Sequence, residues 1–249
     1  MTKYSVTIDL DNETLAALNN GFQMQVYKGV KTSSPTGALP TVWFDVNKFA
    51  STVTVSWEEQ FGGYFSNTQV RNGVVVDIST QQPMNPGDVI TLSDTGSASV
   101  STTGGVDGAF AFKSDQTTEW TSGLLSKNSQ GKFSPICAFP QYGAVGNIMA
   151  PYEKILLLFT QDQLDTGAVV ETAVSRSISI IMSTLKPTAN VGFSINTGWE
   201  TNGNPQAKEN PQNFALAPDL ILPSATMSNI QKEHERSLKS SAKRVLAEV

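Results

Sequence analysis

Hydrophobic and polar residues alternate strictly in many segments of this chain. The first such segment spans residues 4–10, and its hydrophobic positions are Tyr4, Val6, Ile8 and Leu10. The same alternation returns at 22–26, 42–46, 53–57 and 191–199. A period of two residues is typical of antiparallel strands with one buried and one solvated face. The pattern therefore predicts an all-β protein, mainly an antiparallel β-sandwich.

Two continuous, mainly hydrophobic runs, at 73–78 and 154–159, predict central strands that are covered on both faces. Turn-forming residues separate the predicted strands. In residues 85–88, Pro86 and Gly87 occupy the two central positions of a type II turn. The segments together predict about ten to twelve strands.

Two segments carry helical signals. Residues 11–21 combine an N-terminal Asp11 cap with Gly21 at the end, which predicts a short helical connector between strands. Ser228 and Gln231 have the spacing of a capping box, and hydrophobic residues follow at helical intervals. This second pattern predicts an amphipathic C-terminal helix.

The chain is predicted to divide into three parts: a single β-sandwich domain at 1–200, a Pro/Asn-rich extended arm at 201–224 and the C-terminal helix at 225–249. The arm carries four prolines but is too hydrophobic for a free linker. It is therefore expected to lie either on its own sandwich or on a neighbouring subunit, and a homo-oligomer is favoured. The candidate oligomerisation residues are Phe214, Leu216, Leu220, Ile221, Leu238 and Val245.

Charge and composition indicate which partners and which cellular compartment are expected. The formal net charge is −5, and basic residues are scattered until the last twenty positions, so nucleic acid is not expected as a partner. The longest unbroken hydrophobic run is far shorter than a membrane-spanning helix, and the first residues alternate like a strand. The single cysteine, Cys137, allows no intrachain disulfide and is expected to be a buried, inert thiol. These features predict a cytoplasmic protein, or one exported without a cleavable signal peptide.

Catalytic side chains are sparse. The one histidine, His234, lies in the predicted tail helix, so the sequence predicts no metal site, no cofactor and no nucleophilic triad. Carboxylates remain, and a pair of them could serve a hydrolase such as a glycosidase. The glutamates considered for this alternative are Glu58, Glu59, Glu153, Glu171 and Glu200.

Aromatic residues near turns and strand ends are better candidates, because rings can stack on sugars or rest at a lipid surface. Trp57 is in phase with Val53 and Val55 and is expected in the core. The ligand-binding candidates are Trp43, Trp120, Tyr142 and Trp199. They predict a lectin-like site for a glycan, or a contact with a lipid-membrane surface.

Residues 90–113 predict an amphipathic hairpin around the Ser/Thr-rich stretch 95–105. Its hydrophobic face comprises Ile90, Leu92, Ala98, Val100, Phe110 and Phe112. The simplest interpretation is an edge hairpin that stays on the sandwich. The alternative is a membrane-inserting hairpin of a pore-forming toxin, because strands that cross a bilayer need this alternation.

These observations favour a non-catalytic recognition or self-associating β-sandwich protein. It would bind a carbohydrate or a partner through aromatic loop sites, and it would oligomerise through the C-terminal arm and helix. The pore-forming toxin and the hydrolase with a carboxylate pair remain the two alternatives.

Overall fold

The computed structural model describes residues 2–143 and 146–229. Strands account for 52% of the residues and helices for 7%, and the strands form several sheets. The predicted all-β, sandwich-like class is therefore confirmed. The helical connector is also confirmed as α1 (Asn12–Leu18), where the Asp11 side chain accepts a hydrogen bond from the Thr14 backbone N–H.

The strands of the described residues are numerous because many of them are short. In chain order they are β1 (Lys3–Leu10), β2 (Gln23–Thr32), β3 (Leu39–Pro40), β4 (Phe44–Val46), β5 (Thr52–Glu58), β6 (Phe61–Ser66), β7 (Thr80–Met84), β8 (Val89–Leu92), β9 (Ala98–Ser101), β10 (Phe110–Ser114), β11 (Glu119–Lys127), β12 (Phe133–Pro135), β13 (Cys137–Tyr142), β14 (Asn147–Thr160), β15 (Thr172–Ala173), β16 (Ser177–Ile181), β17 (Thr188–Ser194), β18 (Gly198–Glu200), β19 (Ala207–Asn210), β20 (Phe214–Ala215) and β21 (Ile221–Pro223). A second helix, α2 (Ala217–Leu220), lies between β20 and β21. The estimate of ten to twelve strands was too low because strands of two to four residues are too short to show a period.

The largest sheet has nine strands, built around the long strand β14. Its main path runs β19-β16-β14-β10-β8-β9. Strand β2 also pairs with β14, and every residue of β2 takes part in this pairing. The run at 154–159 lies in β14, and the side chains of residues 155–159 are buried. It is therefore a central strand, as predicted.

Two smaller sheets cover the inner face of the large sheet. One has four strands in the order β18-β17-β1-β5, and the other is built on the path β3-β13-β11-β6-β7. The chain passes directly from β5 in the first to β6 in the second through Glu59 and Gln60. This short connection places two polar side chains at the seam between the two small sheets.

The main hydrophobic core fills the space between these layers. Ring contacts join the sheets, with Phe61 against Phe110 at 5.6 Å and Phe159 stacked on Trp199 at 5.3 Å between centroids. Trp57 belongs to this core and is in phase with Val53 and Val55, as predicted.

The run at 73–78 is not a central strand. It forms a loop with one isolated bridge, between Val75 and Ala168, and Val75 is 43% exposed. The run was misleading because periodicity alone cannot assign a short apolar run to a strand. Here only Val76 is buried, in a small cluster with Tyr64 and Leu125.

Residues 90–113 are not one hairpin. β8 and β9 are antiparallel and are joined by the turn at 93–97, but β10 lies parallel to β8 on its other side. Four of the six predicted hairpin residues are fully buried in the main core, namely Ile90, Leu92, Phe110 and Phe112. Ala98 is half-buried and Val100 is exposed on the edge strand β9. The period of two gave the right faces for β8 and β10 but carried no information on strand direction.

The extended segment at 201–224 lies on its own chain. β19 pairs with β16, and β21 pairs with β2. Leu216, Leu220 and Ile221 are buried and Phe214 is partly buried by the same chain, so the structure does not place them as contacts with a second subunit. Residues 225–229 are helical, and the remaining tail, including His234, Leu238 and Val245, lies outside the described residues.

Candidate functional site

The candidate site is a cleft of about 560 Å³ at the seam between the two small sheets, facing β14. The turn at 85–88 forms part of its rim and has the predicted type II form, with Gly87 at φ +101° and a hydrogen bond from the Asp88 N–H to the Asn85 carbonyl. The residues that line the cleft are Glu59, Gln60, Phe61, Pro83, Met84, Asn85, Pro86, Gly108, Phe133, Pro151 and Glu153.

A β-bulge in β14 aims Glu153 into this cleft. The register between β14 and β2 shifts between Tyr152 and Ile155, so Glu153 and Lys154 are extra residues opposite Gly29 and Lys28. A bulge of this kind re-aims side chains relative to a regular strand. Gly29 makes room for it, because a Cβ atom there would lie 3.2 Å from the Tyr152 carbonyl oxygen. The bulge therefore directs Glu153 to the inner face.

Two buried groups hold the Glu153 carboxylate. The indole Nε1 of Trp57 donates a hydrogen bond to Oε2 at 3.0 Å, and Lys28 Nζ lies 3.3 Å from Oε1. Both oxygens are thus engaged from behind the cleft wall. One ion pair and one hydrogen bond therefore fix the orientation of this carboxylate.

Lys28 is fully buried within the main core. Its Nζ lies 5.1 Å, 5.2 Å and 5.6 Å from the ring centroids of Phe61, Trp43 and Trp57, which are cation–π distances. Burial lowers the pKa of the ammonium group, and the charge of Glu153 partly opposes this shift. Lys28 makes no contact with solvent, so its role at the site is to position and neutralise Glu153 from behind.

The second carboxylate, Glu59, is held by Tyr4, the cross-strand neighbour of Trp57. The phenol of Tyr4 donates a hydrogen bond to Glu59 Oε1 at 3.0 Å, and the Tyr4 ring stacks on Trp57 at 5.5 Å. Burial and then the bond to Glu59 raise the pKa of Tyr4 far above its usual value. The phenol therefore remains a donor at all ordinary pH values, which fixes the orientation of Glu59.

The walls of the cleft combine apolar and polar side chains. Phe61 and Met84 lie at its base and are buried, whereas Phe133 is 41% exposed at its rim. No lysine or arginine of the described residues lines the cleft. The lining thus combines two carboxylates and the amides of Gln60 and Asn85 with aromatic, methionine and proline side chains.

The four aromatic candidates do not form one platform. Trp43 and Trp199 are buried, and their indole N–H groups donate to the carbonyls of Ser126 and Arg176. These two rings were expected near the surface, but neither has a face free for a ligand, because the sheets close over them. Trp120 is half-buried and packs against the main core, and only Tyr142 is well exposed, at 62%.

The structure brings together two of the five glutamates considered as acid–base candidates. Glu59 and Glu153 line the same cleft, whereas Glu58, the neighbour of Glu59, lines a separate small pocket. Glu171 and Glu200 lie elsewhere on the surface. The sequence reasoning missed Lys28, although a signal was present: Lys28 is a lone charge in phase with Val26 and Val30.

Other candidate chemistry lies away from this cleft. Cys137 is buried, and burial raises the pKa of its thiol to about 12, which is the environment of an unreactive thiol. The described residues contain no cluster of three or more histidine, cysteine or acidic side chains suited to a metal ion. Within the same residues, no helix is both long and apolar enough to cross a bilayer.

Comparison with protein-family models, curated proteins and solved structures yields no significant match. The function of the cleft is therefore inferred from its own geometry.

Proposed function

We propose that this protein is a non-catalytic binding protein whose recognition site is the cleft of Glu59 and Glu153. Its ligand would be an organic cation with an apolar stem, such as the lysine or arginine side chain of a partner protein. The observation that carries the proposal is the pair of carboxylates, each held from behind by a buried donor and lying beside apolar side chains.

The cleft matches both parts of such a side chain. The carboxylates can accept charge-assisted hydrogen bonds from an ammonium or guanidinium group. The apolar side chains can cover the methylene stem, which long basic side chains bury readily. Because Tyr4, Trp57 and Lys28 already fix the carboxylates, little side-chain entropy would be lost on binding.

The same contacts favour binding over glycoside hydrolysis. A glycosidase needs one carboxyl group that is protonated and can act as a general acid. Here Glu59 accepts from Tyr4, and Glu153 accepts from Trp57 beside the Lys28 ammonium group. Both carboxylates are therefore held as hydrogen-bond acceptors by buried groups, an arrangement that suits a cation receptor.

A titration followed by NMR tests the proposal. The probes are N-acetyl-arginine amide and N-acetyl-lysine amide, with N-acetyl-citrulline amide as the uncharged isostere of arginine. We expect the two cations to shift resonances of cleft residues at millimolar concentration. Glu59→Gln should weaken the binding of both cations about tenfold, which corresponds to a loss of about 1.4 kcal/mol of binding free energy. The matched control is Glu58→Gln, one residue away and outside the cleft.

Three outcomes would contradict the proposal. The cations could leave the cleft resonances unchanged, citrulline could bind as well as arginine, or Glu58→Gln could weaken binding as much as Glu59→Gln. Shifts centred on Tyr142 with an oligosaccharide mixture would instead support the lectin-like alternative.

A further inference from the structure

We propose that the partner is a second copy of this chain, and that its turn at 183–186 inserts into the cleft. This inference rests on the proposed function, because it assigns the cation that the cleft receives. Two copies would pair reciprocally, each placing its turn in the cleft of the other.

The turn at 183–186 is a well-defined protrusion. Ser183 and Lys186 exchange backbone hydrogen bonds of 3.0 Å and 3.2 Å, and the Ser183 hydroxyl accepts a further bond from the Lys186 N–H. The side chain of Gln206 donates to the Lys186 carbonyl at 3.2 Å and so ties the base of the turn to the body. A protrusion fixed in this way would lose little entropy on insertion.

The side chains at the tip have the chemistry that the cleft receives. Leu185 is 92% exposed, the most exposed large hydrophobic residue in the described chain. The next residue, Lys186, is also exposed and forms no ion pair with any described residue. A leucine beside an unpaired lysine complements apolar side chains beside Glu59, which forms no ion pair with any described residue. This complementarity also lets two copies of an acidic protein approach each other.

The turn and the cleft lie at the same end of the molecule. On one side of the turn, the Met182 N–H donates to the carbonyl of Glu153, which lines the cleft. On the other side, the Pro187 carbonyl accepts from the N–H of Ser5, the neighbour of Tyr4. A protrusion next to the cleft that it fits makes a self-complementary surface, and a two-fold axis would pair such surfaces in a closed dimer.

The mass in solution tests this inference. We expect sedimentation equilibrium of the full chain to give a concentration-dependent dimer of twice the 26.7 kDa chain mass. Leu185→Ser and Lys186→Glu should each raise the dissociation constant at least about tenfold. The controls are Ile195→Ser, another exposed hydrophobic residue beside a turn, and Lys48→Glu, which makes the same charge change away from the cleft.

Charge reversal across the interface provides a second test. Lys186→Glu alone and Glu59→Lys alone should each be monomeric, because each places like charges at both contacts. An equimolar mixture should form a heterodimer, in which one contact is native and the other has both charges reversed. Melting curves of each variant, recorded first, identify any loss of fold.

Several results would overturn the inference. The wild type could remain monomeric at several hundred micromolar, the control variants could dissociate the dimer, or Glu59→Gln could leave it intact. Binding of the arginine and lysine probes by a wild type that stays monomeric would refute the second copy as partner and leave the proposed function standing. Leu185→Ser should still bind those probes, because its cleft is unchanged.

Discussion

The buried ion pair behind the cleft gives a prediction whose size follows from the structure. In Glu153→Gln, the new side chain can still accept from Trp57, but Lys28 loses its counter-charge inside an aromatic cage. In Lys28→Met, an apolar side chain of similar length fills the core position, and Glu153 keeps the Trp57 bond at the edge of the cleft. We therefore expect Glu153→Gln to be the more destabilising change.

The loss of stability caused by Glu153→Gln has an upper limit. It cannot exceed the free energy needed to deprotonate Lys28, because a neutral Lys28 no longer needs a counter-charge. A lysine has an ordinary pKa of about 10.5, and each pH unit corresponds to about 1.36 kcal/mol, so neutralising Lys28 at pH 7 costs about 4.8 kcal/mol. Breaking a buried pair by removing one partner generally costs about 3–5 kcal/mol. We expect about 3–5 kcal/mol for Glu153→Gln and less than about 2 kcal/mol for Lys28→Met.

The cost of Glu153→Gln should fall as the pH rises. A lysine whose pKa is lowered by folding binds fewer protons in the native state than in the unfolded state between its lowered pKa and its ordinary pKa. The stability of the folded state then increases with pH over that range, by up to about 1.4 kcal/mol per unit. From pH 7 to pH 9 we expect Glu153→Gln to recover up to about 2.7 kcal/mol.

Urea unfolding followed by tryptophan fluorescence measures these free energies for the wild type, the two variants and the double variant. The double variant should lie within about 1 kcal/mol of Lys28→Met, because no charge is then left buried without a partner. Equal costs for the two single variants, strict additivity in the double variant, or a pH-independent Glu153→Gln would refute the reasoning.

Three further predictions concern the core. Gly123→Ala should lower the free energy of unfolding by at least about 3 kcal/mol, because its Cβ atom would lie 2.2 Å from the Cys137 carbonyl oxygen. The control is Gly192→Ala, whose Cβ atom would meet nothing closer than 3.4 Å. It should cost far less in the same urea assay. The Cys137 thiol, with its pKa raised to about 12, should react with a disulfide reagent only after unfolding, and rapid labelling of the native protein would contradict its burial. Leu216 is buried, so Leu216→Ala should lower the free energy of unfolding by about 2–5 kcal/mol. Val75 is exposed, so Val75→Ala should lower it by less than about 0.5 kcal/mol. Equal effects would contradict the packing of the segment at 201–224 on its own chain.

The fold class could be read from the sequence because it depends on local periodicity. Each strand must bury one face, so Tyr4, Val6 and Ile8 mark β1 without reference to any other segment. The Asp11 cap of α1 and the turn at 85–88 are likewise encoded within a few residues. The direction of β10 relative to β8 was missed because both orientations bury Phe110 and Phe112 equally well.

The candidate site belongs to the tertiary structure. Glu59 and Glu153 are 94 positions apart, and they share a cleft only because β5 crosses to β6 at the seam and β14 bulges opposite Gly29. The sequence determined that each strand carries a hydrophobic face, and it marked Lys28 as a charge on such a face. Only the packing of the sheets decided which carboxylate neutralises Lys28, because the distances that govern Coulomb interactions are set by contacts between segments remote in the chain.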